Sequence, residues 1–266
     1  MLVRFLRTAS SRRLLGTIGG AVVAICVGTA IAVAAAGSGP TPPPASLAQA
    51  VHRGLGAKPV RGISADITFT DNLIDSSNFA GQGPSDPLLQ GGTGRLWASG
   101  GGRLRIELQS GSGDIELVVD HGHWWLSDPS QGVVYTGTSH QGSGSTSGSG
   151  QASGDAGGIP TVGQIQTAIR HVLKSMSITG PSPTDVGGQP AYSVTVSPKS
   201  SKGLIGSLQL AWDAVHGTPL QFNVYARGDT TPVLGLTASS VSYGPVPTSV
   251  FTISPPAGST RVPLGG

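Results

Sequence analysis

A chain of 266 residues with 42 glycines, 20 prolines and only 11% charged residues suits one turn-rich domain plus accessory segments. Its formal charge of +3 includes Arg4, Arg7, Arg12 and Arg13, all ahead of the first apolar run; the rest carries 12 basic against 13 acidic residues. That near-neutral body lacks the basic patch nucleic acid binding needs, and the single cysteine, Cys26, excludes an intrachain disulfide and a cysteine-ligated zinc site.

Residues 1–36 read as a signal peptide or N-terminal transmembrane anchor. The basic start leads into Leu14–Ala36, an uncharged run long enough to cross a hydrocarbon core. The basic flank places the N-terminus in the cytoplasm and the remainder outside, secreted or anchored to the cytoplasmic membrane. Ala34-Ala35-Ala36 is a small-residue cleavage site, whereas Ile25 directly before Cys26 fits a lipidation signal poorly. Residues 37–45 are a Pro-rich spacer. Ser46 and Gln49 predict a capping box for a short helix with Leu47, Val51 and Leu55 on one stripe.

Ile63–Thr70 alternates as a strand, and Asp71–Gly92 is a long polar excursion. A meander follows from Gly94 to Tyr135. Leu104, Ile106 and Leu108 alternate with Arg103, Arg105 and Glu107; Ile115, Leu117 and Val119 repeat the pattern. Such period-two alternation marks antiparallel strands with one face buried. Asp120-His121-Gly122 is hairpin chemistry. Residues 137–158 are Gly/Ser-rich and read as a disordered insertion within a domain spanning 46–266.

Thr161 and Gln164 predict a second capping box, opening a helix over 161–177 whose stripe is Val162, Ile165, Ile169, Val172, Leu173 and Met176. Alternation returns at Tyr192–Val196, Leu208–Trp212, Leu220–Val224 and Val233–Val241, with Phe251–Ile253 a last short strand. Roughly ten strands and two helices result, the helices covering the apolar face.

No Gly-x-Ser-x-Gly elbow, phosphate loop or His-Glu-x-x-His is present, so no catalytic residue, metal ligand or cofactor is assigned. His121 and His123 flank a hairpin tip and read as a solvated turn. Arg227-Gly228-Asp229 reads as a turn between strands. The apolar face is what remains. A curved antiparallel sheet with few covering helices can enclose an acyl chain, each buried CH₂ contributing about 0.8 kcal/mol.

Three blocks carry a family resemblance: Gly94-Arg95-Leu96-Trp97 with Arg103–Glu107, Val119–Pro129 around Trp124-Trp125, and Phe251–Gly258 with its Pro255-Pro256. In order and spacing they resemble the lipoprotein carrier LolA and its relatives, LolB and the N-terminal domain of RseB, over about residues 46–262. The resemblance implies a mainly β fold with two or more helices, an incomplete, strongly curved antiparallel β-barrel whose helices cover a concave apolar face. It implies a non-enzymatic protein binding acyl lipid or lipoprotein. Trp97, Ile106, Leu117, Val119, Leu208, Leu210 and Phe222 would form the cavity wall, and Ile165, Ile169 and Val172 the lid. The family also implies an alternative role, a membrane-tethered envelope-stress regulator of the RseB type with a membrane or anti-sigma partner. Gly100 stands where the carrier has the arginine that latches its lid. Richness in Gly, Ala, Val and Pro points to a high-GC bacterium of actinobacterial type.

Overall fold

A computed structural model describes residues 39–73, 91–109, 114–129, 132–138 and 161–264. The N-terminal signal or anchor and nearly all of the Gly/Ser insertion lie outside the described residues. Gly137 and Thr138, expected in that insertion, instead close a strand. No helix among the described residues is long and apolar enough to cross a membrane.

The chain runs α1 (Leu47–Leu55), β1 (Gly62–Asp71), β2 (Gly92–Ser99), β3 (Arg103–Leu108), β4 (Ile115–Asp120), β5 (His123–Asp128), β6 (Val133–Thr138) and α2 (Val162–Val172). It continues with β7 (Met176–Val186), β8 (Gln189–Pro198), β9 (Ile205–Asp213), β10 (Pro219–Ala226), β11 (Pro232–Tyr243), a 3-10 turn (Thr248–Val250) and β12 (Thr260–Pro263). Both capping boxes form. The Ser46 hydroxyl accepts from the Gln49 amide at 3.3 Å and the Gln49 side chain accepts from the Ser46 amide at 3.2 Å. Thr161 and Gln164 repeat this at 3.3 and 2.7 Å, and each pairing satisfies two otherwise orphaned amides.

All twelve strands join one open, curled sheet in the order β12-β6-β5-β4-β3-β2-β1-β11-β10-β9-β8-β7. Every pairing is antiparallel except β12 on β6. The expected mainly β, incomplete-barrel architecture is what the chain builds. Two residues with positive φ, His121 at 48° and Gly122 at 85°, make the β4–β5 turn, a geometry whose twist matches a tight hairpin. Gly187 and Gly188 do the same between β7 and β8 at 61° and 78°.

Three expectations are corrected. The second helix ends at Val172 rather than at 177, and Met176 opens β7. Phe251–Ile253 is not a strand; Phe251 follows the 3-10 turn, and the last strand is β12. Among the described residues there are twelve strands rather than roughly ten, and both sheet edges, β7 and β12, are ones the alternation pattern does not mark.

Candidate functional site

Directly opposed residues in an antiparallel pair share a face, so the register traces one apolar face across the sheet. Leu117 opposes Ile106, Ile106 opposes Leu96, and Leu96 opposes Ala65. Ala65, Ile67 and Phe69 alternate along β1 onto that face. From Phe69 the row continues through Leu236, Phe222 and Leu210 to Val194. Val119, opposite Leu104, and Leu208, opposite Val224 and Val196, lie on it too.

Six of the seven expected wall residues are therefore brought to one face. Ile106, Leu117, Val119 and Leu210 are buried within packed clusters, while Leu208 and Phe222 are half-buried. Trp97 is not brought there. Leu96 and Ala98 take the apolar face, so strand parity sends Trp97 to the other side, opposite Arg105. The Arg105 guanidinium sits 5.0 Å from the Trp97 ring centroid and pairs with Glu107 at 3.0 Å and Glu116 at 2.6 Å. Burial raises the Glu116 carboxyl above its ordinary pKa despite the opposing pull of Arg105. Sequence reasoning missed Leu96, Val224, Leu234 and Leu236, half-buried members of the apolar face. The alternation of Leu234 and Leu236 with Val233 and Gly235 was the available signal.

Helix α1 covers the β7–β9 end of this face. Ala50 is fully buried against Tyr192, Val194 and Trp212, with Leu47 and Val51 beside it. The Tyr192 hydroxyl donates to the Pro43 carbonyl at 2.6 Å and ties the Pro-rich spacer to the sheet. Helix α2 packs against α1. Of the expected lid residues, Ile165 is buried, Ile169 half-buried and Val172 exposed at 40%, with neighbouring Leu173 exposed at 36%. The helix thus has unused apolar surface.

A polar hub closes β9. Asp213, fully buried, accepts from the amides of Val215 at 2.6 Å and His216 at 2.8 Å and from the Tyr243 hydroxyl at 2.7 Å. His216 stacks on Tyr243 with ring centroids 4.0 Å apart. Burial, then the bond to Asp213, pushes the Tyr243 phenol up. Val215 and His216 belong to the turn after β9 and Tyr243 to the end of β11, so Asp213 pins the turn to that neighbouring strand. His121 bonds Asp120 at 2.6 Å, and no group of three metal-ligating side chains occurs among the described residues. Arg227 donates to the carbonyls of Ser200, Gly203 and Ile205, so the Arg-Gly-Asp tripeptide anchors a loop.

No protein-family model and no curated protein matches the chain. Solved structures do. An uncharacterized conserved protein from Thermus thermophilus is 9% identical, with a TM-score of 0.45 over 81% of this chain and 96% of that one. The MucA/MucB complex of Pseudomonas aeruginosa matches at 14% identity and TM-score 0.44, over 78% of this chain and 60% of that one. A LolA superfamily protein from Nitrosomonas europaea matches at 11% identity and TM-score 0.27, over 79% and 99%. MucB on its own matches at 15% identity and TM-score 0.42, over 77% of this chain and 62% of that one.

Proposed function

We propose that this protein is an extracytoplasmic, non-catalytic binder of acyl lipid or lipoprotein that holds the chains against the apolar face of its curled sheet. The observation that carries the reading is the band of half-buried apolar residues on that face: Leu96, Leu208, Phe222, Val224, Leu234 and Leu236. Helix α2, packed against α1, leaves Val172 and its C-cap Leu173 exposed. Hydrocarbon needs no polar recognition, and an apolar band of this kind contributes affinity in proportion to the area it removes from water. The charge-free N-terminal run, with its basic flank, supports a location outside the cytoplasm.

A second reading, a membrane-tethered regulator of the RseB type with a membrane or anti-sigma partner, is favoured by the β3–β5 part of the face. There Ile106, Leu117 and Val119 are packed into a core. Mass spectrometry of the organic extract of full-length protein purified from a bacterial host separates the two. Stoichiometric phospholipid or acylated species is the expected result. Phe222→Asp or Leu208→Asp, each on a half-buried strand position, abolishes it while leaving the fold intact. A folded, lipid-free wild-type protein sinks the carrier reading and directs attention to protein partners.

A further inference from the structure

The opposite side of the sheet carries an open cleft of about 570 Å³ between β4–β6 and the C-terminal segment. Its position follows from parity. Leu117, Val119, Leu126 and Tyr135 face the apolar side, so Val118, Trp125 and Thr136 face away. Strand β12 runs parallel to β6 with Arg261 opposite Val134 and Pro263 opposite Thr136, which brings both side chains to this same outer side. Phe251, only 2% exposed, and Pro255 close the wall from the crossing segment. At the rim, Trp124 lies across Gly137; a methyl group there would come 2.6 Å from the indole ring. By the same parity Trp124 stands opposite Val119 and packs on the core of the apolar side.

The lining is apolar and aromatic at its base, with His123 and Asp120 toward the Thr138 end of β6 and Arg261 toward the Val134 end. Asp120 is the only carboxylate among the lining residues, and it already accepts from Arg103 at 3.2 Å and meets His121 at 2.6 Å. Among the described residues Arg261 and His123 have no ion-pair partner, so the free charge of the cleft is positive. A volume of this size suits a small organic molecule rather than a single ion. We propose that this cleft binds a soluble amphipathic anion, its hydrocarbon body on Trp125 and Pro255 and its single carboxylate or phosphate on Arg261. Planar rings supply large rigid apolar contact, and the exposed Arg261 fork supplies a charge-assisted bond. The site is separate from the acyl-binding face proposed above and stands whether or not that face binds lipid.

The test uses the full chain, 15N-labelled at its indoles, titrated with decanoate below its micellar concentration. Four tryptophans give four indole signals, assigned by single Trp→Phe variants. Decanoate is expected to shift that of Trp125 most and to leave Trp97 and Trp212 unmoved. Arg261→Gln weakens the binding about tenfold, the loss of one charge-assisted contact, while decanol in place of decanoate gives a comparable loss with wild type. Phe222→Asp, on the opposite face, leaves these shifts unchanged. Shifts confined to Trp212, or binding insensitive to Arg261→Gln, overturn the proposal. So does binding to anionic phospholipid vesicles with none to free decanoate, which would make this face a membrane contact.

Discussion

Strands β3–β4 and strands β8–β9 solve burial in different ways. In β3–β4 one face is a core of Leu104, Ile106, Leu108, Ile115, Leu117 and Val119, and the other a ladder of paired charges, with Arg103 on Asp120 and Arg105 between Glu107 and Glu116. In β8–β9 both faces are shut. Tyr192, Val194 and Trp212 lie under α1, and on the reverse Ala191, Ser193, Ala211 and Asp213 are at most 1% exposed. A one-sided strand can leave its polar residues to water and weak surface pairing. A two-sided strand must use small residues where packing is tight and must satisfy each buried polar atom from within. Asp213, with its three donors, is that satisfaction.

The contrast predicts where stability resides. Trp212→Ala removes the platform under α1 and should cost about 3–5 kcal/mol, read as a fall in the midpoint of chemical unfolding. Asp213→Ala leaves two amides and the Tyr243 hydroxyl without an acceptor and should cost about 2–3 kcal/mol. Tyr243→Phe in that background should recover part of the loss, because one orphaned donor is gone; a cycle with no coupling would break the account of the hub. On the one-sided strands, Arg105→Met should cost about 1–2 kcal/mol, since it removes the part-buried pairing with Glu107 and Glu116 and a single ring contact. A loss as large as that of Trp212→Ala would mean the two ends are not built differently.

The same contrast explains what is legible in the sequence. Alternation is clearest where one face is wet, so β3 and β4 stand out and the buried rows of Ile106 and Leu117 follow from it; on β8–β9 the small and polar residues of the reverse face keep the pattern of Val194 and Leu210 visible. The size of Trp97 suggests burial on the apolar face, whereas its neighbours Leu96 and Ala98 fix the parity and turn it away. Strand β7 escapes notice because Pro181 and Pro183 break its pattern. As an edge strand it has no ladder partner on one side, and proline is tolerated there. Strand β12 is the other edge, four residues long and paired in parallel, with no hairpin to announce it. Phe251 looks like a strand residue because it is buried, yet it is buried from outside the sheet, as a wall of the cleft over Val118. That same covering makes Val118 the exception on its own face, 2% exposed among charged neighbours.

The smallest effect expected is one of pH at the end of β1. Asp71 is buried and accepts from the Leu73 amide at 2.8 Å. Burial raises its carboxyl above the ordinary value of 3.8, with the amide bond opposing. The folded protein therefore holds this proton more tightly than the unfolded chain does. Over the interval between the two values stability falls as pH rises, and above the folded value the loss is complete. Asp71→Asn keeps an acceptor for Leu73 and has nothing to titrate. The variant should gain on wild type in melting temperature as pH is raised from about 4, the unfolded carboxylate range, toward neutrality. The gain should then level off. A difference between the two proteins that is flat across this range would show that water reaches the Asp71 carboxylate in the folded state, and that the β1 end is open where the sheet elsewhere is closed.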